Sequence, residues 1–397
     1  MKSVLRLFPA LLCFALPAAV RAADAPAPAA VPPSATLPKP GDVLAKTRLV
    51  NAWFMKTWPD PGKLTVGNRV STLWTRGVYY EGLMALYHVD PDKKFLDYAV
   101  QWGELHQWGL RQGVRSRTAD DQCAGQTYLD LYQLDPKPER MRDIKTNLDA
   151  MVASPGVGNW TWVDAIQMAM PTFARLGVIT KDPKYFEKMH ALYVSARDQQ
   201  GFYNPAEGLW WRDRNFIFPQ YKEPNGQSCY WSRGNGWVIA AMARVLDVIP
   251  ADAPYRAEYV KMVQDMAAAL KKVQRDDGFW NASLHDPANF GGKETSGTAL
   301  FTYGIAWGIR NGILSKDDYL PVVAKAWNAL AADAIHPDGF LGFVQGTGKQ
   351  PSEGQPVTYD HKPDFDDFGA GCVLLAGSEV YQLAGGTVPK PAAAPKP

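Results

Sequence analysis

Twelve stretches of helical apolar spacing, joined by links that alternate between short and long, predict an all-α fold: an (α/α)6 barrel of six helical hairpins with inner and outer rings. Three observations carry this. Apolar residues recur at helical spacing along the whole body, over 42–57, 72–88, 92–108, 123–134, 138–153, 162–177, 182–198, 233–249, 254–274, 295–312, 317–332 and 366–384. The links leaving the even-numbered helices are short and rich in Asp and Pro: Val89–Asp92, Leu134–Lys137, Thr180–Pro183, Ile249–Asp252 and Ser315–Asp318. Pro and Asp stop one helix and start the next. The links entering the even helices are long (58–71, 109–122, 154–161, 199–232, 275–294 and 333–365), and three of them share a turn glycine followed by aromatics. These are Gln200-Gly201-Phe202-Tyr203, Asp277-Gly278-Phe279-Trp280 and Asp338-Gly339-Phe340, one hairpin unit repeated. Even helices such as Gly234–Val245 and Thr298–Ile309 are the more apolar and small-residue-rich, which suits a crowded inner ring. An open α-solenoid is the competing architecture. In the closed barrel every inner helix points its N-terminus at the long-loop face, forming a funnel with partial positive charge suited to an anion.

The chain ends lie outside this body. Lys2 and Arg6 precede an apolar run from Leu7 to Val20, and Val20-Arg21-Ala22 supplies a small-x-small cleavage pattern. Residues 1–22 read as a secretory signal peptide, which implies a periplasmic or secreted protein. Residues 23–40 are Ala/Pro-rich and read as a solvated linker, 41–386 as the catalytic domain and 387–397 as a disordered tail. A net charge of +2 gives no nucleic-acid or membrane footprint. Three cysteines remain beyond the leader (Cys123, Cys229 and Cys372), an odd number that argues against a disulfide scaffold. No metal-ligand spacing occurs, so neither metal nor cofactor is expected. The 14 Trp, 17 Tyr and 16 Phe serve a large core, and they could also stack on sugar faces.

Candidate functional residues gather where long loops meet inner helices. Trp74 and Arg76 open the second helix, and Ala119-Asp120-Asp121-Gln122 precedes the fourth. Trp160, Trp162 and Asp164 open the sixth. Trp210-Trp211-Arg212-Asp213 and Tyr230-Trp231-Ser232-Arg233-Gly234-Asn235-Gly236-Trp237 lead into the eighth. Glu294-Thr295-Ser296-Gly297-Thr298 opens the tenth, and Asp364-Phe365-Asp366-Asp367-Phe368 the twelfth. Glycoside chemistry needs a placed proton donor and commonly a second carboxylate. Asp120 and Asp164 are the best pair, because an aromatic surround would desolvate both. The alternative is that each only caps its helix. Trp74, Arg76, Asp121, Trp162, Trp211, Arg212, Trp231, Arg233 and Trp237 are the candidate substrate-binding residues. Among them Arg76, Arg212 or Arg233 could fork onto a substrate carboxylate or pair with the aspartates.

Tyr230–Trp237, together with Trp160–Met168, Asp120–Gly125 and Thr295–Gly312, resembles the unsaturated glycuronyl hydrolases of glycoside hydrolase families 88 and 105, which include unsaturated rhamnogalacturonyl hydrolases. The resemblance spans the whole body in matching order. It implies an (α/α)6 barrel acting downstream of a polysaccharide lyase, on oligosaccharides that end in a 4,5-unsaturated uronosyl residue. It further implies hydration of the C4=C5 bond rather than displacement at the anomeric carbon. Within it, Asp164 matches the general acid/base, Asp120 the second carboxylate, and Arg233 and Trp237 residues of the substrate pocket. One departure stands out: many members carry a histidine in a Leu-Tyr-His-type segment where this chain has Leu209-Trp210-Trp211-Arg212-Asp213. An inverting glycosidase acting on a saturated sugar through the same two aspartates is the alternative function. A sugar epimerase and a non-catalytic glycan-binding protein are more distant ones.

Overall fold

The computed structural model describes residues 33–389. The inner helices are α2 (Trp74–Val89), α5 (Ala124–Leu134), α7 (Asp164–Thr180), α9 (Ser232–Leu246), α11 (Thr295–Arg310) and α13 (Phe368–Leu383). The outer helices are α1 (Pro40–Thr57), α3 (Lys93–Leu105), α6 (Pro138–Ala153), α8 (Lys184–Val194), α10 (Arg256–Lys272) and α12 (Lys316–Ala329); a short α4 (Ala119–Gln122) leads into α5. Each inner helix packs on the next, and α13 returns to pack on α2, so the ring closes and the open solenoid is excluded. Inner and outer helices differ as their sequences require. Every residue of α9 is buried, whereas α3 buries only the stripe Phe95, Tyr98, Ala99, Trp102 and Gly103.

Close backbone approach makes the closing seam. A Cβ on Gly371 would sit 2.2 Å from the Val78 carbonyl oxygen, and one on Gly82 would sit 2.4 Å from that of Gly371. Only glycine allows α2 and α13 to touch backbone to backbone there. On the barrel axis the buried Glu81 carboxylate accepts from Gln167 Nε2 at 2.7 Å and from Cys123 Sγ at 3.2 Å, with Arg244 Nε 3.7 Å away. Arg244 Nε also donates to Gln126 Oε1 at 2.9 Å, and Gln126 Nε2 donates to the Gln167 carbonyl at 2.7 Å. Four inner helices (α2, α5, α7 and α9) are thus tied through one polar cluster.

The short links behave as expected. Asp92 caps α3 by accepting from the Lys94 amide at 2.9 Å, and Ser315 caps α12 through the Asp318 amide at 3.3 Å. The repeated glycine-aromatic fragment is a docking turn more than a hairpin. Only the first copy forms paired strands, β1 (Tyr203–Asn204) with β2 (Leu209–Trp210), while the later ones make single bridges, Trp280 to Glu294 and Ile335 to Leu341. Gly278 and Gly339 have positive φ and pack against the carbonyls of Lys325 on α12 and Leu49 on α1, so each turn locks onto the next outer helix.

Three boundaries shift. The helix expected from residue 123 is preceded by α4, which places Asp120 and Asp121 in a helical turn rather than in a loop. The helix expected at 366 starts at Phe368, because the Asp367 side chain accepts from the Phe368 amide and caps it. The stretch read as a solvated linker is docked near its end: Asn328 Nδ2 of α12 donates to the carbonyls of Ser34 (2.8 Å) and Thr36 (3.0 Å), and Leu37 packs on the core. The expected signal peptide, the rest of that linker and the tail beyond Pro389 lie outside the described residues. Cys123, Cys229 and Cys372 are buried and unpaired.

The closing seam gives a stability test. Gly371→Ala forces a methyl into backbone and should cost roughly 1–3 kcal/mol in chemical denaturation. Gly41→Ala, where nothing lies within 4 Å, should cost nothing. Equal stability of the two variants would show that the seam is loose.

Candidate active site

The long-loop face holds a cavity of about 230 Å³ lined by Arg69, Trp74, Asp120, Trp162, Asp164, Met168, Arg212, Thr347, Gly348 and Phe365. Asp164 is the first residue of α7, and the N-cap position before it belongs to Val163. Asp120 stands in the first turn of α4, and Thr118 precedes that turn without a side-chain cap. The capping explanation for both aspartates therefore fails. Arg212 is carried beside Asp164 by the backbone, since the Val163 amide donates to the Arg212 carbonyl at 2.8 Å. Its Nε lies 3.4 Å from Asp164 Oδ2, and its Nη1 lies 2.6 Å from Asp213 Oδ2. Arg212 Nε and Asp164 Oδ2 are both buried and make no hydrogen bond among the described residues; they face each other as an ion pair.

The charge of Asp164 acts on Asp120. Burial and the nearby charges of Asp164 and Asp121 push Asp120 from 3.8 up to about 7, against the pull of Arg111 and Arg212. Burial also raises Asp164, opposed by the guanidinium charges of Arg212 and Arg233. Asp120 therefore holds its proton close to neutrality.

The structure brings together Trp74, Asp120, Trp162, Asp164 and Arg212 from the sequence-derived set. The others lie behind the wall. Asp121 is fully buried, ion-paired to Arg111 Nε at 2.7 Å and accepting from Ser116 Oγ at 2.5 Å, so it fixes the loop before α4. Arg76 is buried, with Nε 3.2 Å from Asp367 and its guanidinium over the rings of Phe54 and Trp58. Arg233 donates to the carbonyls of Gln345 and Gly346, both at 2.7 Å, and Trp231 Nε1 donates to Gln345 Oε1 at 2.9 Å. Both residues therefore clamp the loop that presents Thr347 and Gly348. Asn235 performs the same task for the other wall: its Oδ1 accepts from the Trp210 amide at 2.8 Å and its Nδ2 donates to the Trp210 carbonyl at 3.0 Å, which steadies Trp211 and Arg212. Trp211 packs on Tyr230, and Trp237 meets Trp74 edge-on at 6.1 Å from the buried side.

Arg69, Met168, Thr347 and Gly348 stand outside the sequence-derived candidates, and Phe365 stood in the candidate stretch opening the last inner helix without being assigned to substrate binding. Met168 follows Asp164 by one helical turn, a spacing that could have revealed it. Arg69, Thr347 and Gly348 sit in long aperiodic loops, where spacing carries no information.

A helical barrel with two carboxylates of raised pKa and an arginine in an aromatic-walled cavity defines a carbohydrate-active hydrolase. Residues 46–384 match the model of Glycosyl Hydrolase Family 88, and the chain belongs to that family. It is 34% identical over 331 residues to an unsaturated 3S-rhamnoglycuronyl hydrolase of Formosa agariphila, covering 79% of this chain and 85% of that protein. A family 88 glycosyl hydrolase structure from Bacteroides vulgatus superposes with a TM-score of 0.80 at 34% identity, over 87% of this chain and all of that one. A structure described as a polysaccharide lyase also superposes at 0.80, with 32% identity, over 88% of this chain and 99% of its own.

The coupled carboxylates set a pH test. The folded-state pKa of Asp120 lies above its unfolded value, so its contribution to stability is present at low pH and is lost as pH rises from 3.8 to about 7. Carboxyl-stretch infrared titration should find an aspartate midpoint near 7 in the free enzyme. Asp164→Asn removes a charge that raises Asp120, so it should move that midpoint down. A wild-type midpoint in the ordinary carboxylate range would dismiss the coupling.

Proposed function

We propose that this enzyme removes the 4,5-unsaturated uronosyl residue from the non-reducing end of lyase-generated oligosaccharides by hydrating the C4=C5 bond. The observation that carries this is one cavity holding two carboxylates of raised pKa beside the Arg212 guanidinium, which is ion-paired to Asp164. In this reading Asp164 delivers a proton to C4, and water adds at C5 with its proton passing to the carboxylate pair. The C5 hemiketal then opens to a ketone, leaving a hemiacetal at C1 that releases the neighbouring sugar. The name of the Formosa agariphila relative supports this substrate class.

Arg212 is the residue we assign to the uronate carboxylate. That carboxylate is attached to C5, next to the atom being protonated, so its partner must sit beside the acid. Arg212 lines the cavity 3.4 Å from Asp164, whereas Arg76 and Arg233 lie behind its wall. Binding of the carboxylate also completes the acid. In the free enzyme Arg212 holds down the pKa of Asp164, and a substrate anion that offsets this charge lets Asp164 take the proton.

The likeness to a protein described as a polysaccharide lyase offers a second reading, elimination rather than hydration. Removal of the uronate C5 proton needs a base of high pKa, yet among the described residues the cavity wall presents no Tyr, His or Lys. The hydrolytic reading is the better supported. Export of the enzyme, inferred from residues 1–22 read as a secretory signal peptide, belongs to the same proposal, with a substrate outside the cytoplasm.

Loss of ultraviolet absorbance on a panel of unsaturated disaccharides tests the activity, since hydration destroys the conjugated chromophore. In D₂O deuterium should enter C4, and ¹⁸O from water should appear at C5. Oxygen label at the anomeric carbon, or comparable turnover of saturated glycuronides, would instead establish the alternative inverting glycosidase. Elimination would raise the absorbance.

Arg212→Lys keeps the charge but loses the planar fork, and it should raise KM by roughly 1–3 kcal/mol of binding. Equal hydrolysis of methyl-esterified and free-acid substrates by the parent enzyme would remove Arg212 from this role.

A further inference from the structure

Asp213 stands behind Arg212, outside the cavity wall, with 8% of its side chain exposed against 22% for the arginine. It is held from its own side. Its Oδ1 accepts from the Asn215 amide at 2.8 Å, and its carbonyl accepts from the Phe216 amide at 3.0 Å. These bonds cap a short 3-10 turn (Arg214–Phe216) whose Phe216 is buried against Tyr221. Its Oδ2 accepts from Arg212 Nη1 at 2.6 Å, and this is the one hydrogen bond that the guanidinium makes among the described residues. The contact between Arg212 Nε and Asp164 is wider, at 3.4 Å, and is an ion pair without a hydrogen bond. The backbone before the guanidinium is fixed as well, since the Trp211 amide donates to the Phe202 carbonyl at 2.8 Å.

We propose that Asp213 is a positioning residue: it pins the Nη1 corner of Arg212, so that the guanidinium stands ready for the uronate carboxylate instead of closing on Asp164. The proposal rests on the assignment of Arg212 to that carboxylate given above. A guanidinium held only by Asp164 would draw in to hydrogen-bonding distance, as charge-assisted pairs do, and receptor and acid would be spent on each other. A carboxylate at a second corner fixes the plane of the fork. The two contacts differ in the way this role requires. Asp213 makes the short one and cannot follow the arginine, because its other oxygen is bound to a backbone amide. Asp164 makes the long one, which an incoming carboxylate can replace. The charge of Asp213 also adds to the forces that raise Asp164, an effect felt with any substrate, charged or not.

The test is the ratio of kcat/KM for a lyase-generated disaccharide as free acid to that for its uronate methyl ester. An effect on Asp164 is common to both substrates and cancels in the ratio, whereas the orientation of Arg212 matters only to the acid. The wild-type enzyme should favour the acid. Asp213→Asn keeps the size of the side chain and an acceptor for the Asn215 amide. It should lower the ratio roughly ten- to a hundredfold, as loss of a charge-assisted hydrogen bond does, mainly through KM for the acid. Asp213→Ser, which also caps a turn, should lower it as far, so the result does not depend on one variant folding. In an Arg212→Gln background neither substitution should change the ratio further, because no fork is left to position. An unchanged ratio in the folded Asp213 variants, or a further fall in the Arg212→Gln background, would overturn the role of Asp213 and leave Arg212 as assigned. Absence of an acid preference in the wild type would remove the Arg212 assignment and the positioning role with it. Absence of turnover on either substrate would overturn the hydrolase reading and both assignments together.

Discussion

The Glu81 carboxylate, sealed on the barrel axis, is the interaction on which the site's geometry rests. Through Gln167 and Arg244 it ties α2 to α7 and α9, and Arg244 and Gln126 extend the tie to α5. Burial raises its pKa and Arg244 opposes the rise, so the ionised pair brings little net stability compared with an apolar plug. What such a cluster supplies is registry. An apolar axis lets helices slide by fractions of a turn at small cost, whereas a hydrogen-bonded charge has one satisfied arrangement. Gln167 lies one turn from Asp164, and Cys123 directly follows the α4 turn that carries Asp120. The axis cluster therefore sets the heights of both catalytic candidates relative to each other.

The second constraint is that the cavity walls are loops, and loops need tethers. Arg233 and Asn235, two residues apart at the start of α9, supply them in opposite directions. Arg233 reaches the carbonyls of Gln345 and Gly346, while Asn235 closes on Trp210. Gly234 and Gly236 between and after them pack closely on Trp231 and Leu300. One short motif thus positions two walls of the cavity without lining it. Removing Arg233 would free the 345–348 loop and would also change the field on Asp164, so a loss of turnover there would not by itself indicate a substrate contact.

How far the sequence could be read follows from the same physics. The barrel was legible because helical periodicity and Asp/Pro punctuation are local properties, and the alternation of link lengths turns them into topology. The catalytic face followed from topology alone. The division between residues in the cavity and residues behind it was not legible. Arg76, Asp121, Trp231 and Arg233 stand at helix starts just as Asp164 and Trp74 do, but side-chain direction there depends on partners such as Asp367, Arg111 and Gln345 that are distant in sequence. Arg69 and Thr347 were invisible for the opposite reason: they reach the cavity from aperiodic loops whose path is fixed by Thr65 and Asp364.

The replacement of the expected histidine by the Trp211-Arg212 segment is consistent with this electrostatic design. A histidine beside Asp164 would lose its charge near neutral pH, and the carboxylate would then feel a different field on either side of that transition. A guanidinium keeps its charge throughout. Arg212 therefore exerts a constant pull on Asp164, modulated by its second partner Asp213 and by whatever anion a substrate brings. Near neutrality the titration of the cavity then rests on Asp120, and in the proposed reaction the substrate's own carboxylate would be the element that frees Asp164 to take the proton. In that arrangement charge recognition and proton delivery are one event, which ties discrimination against uncharged ends to the chemical step rather than to binding alone.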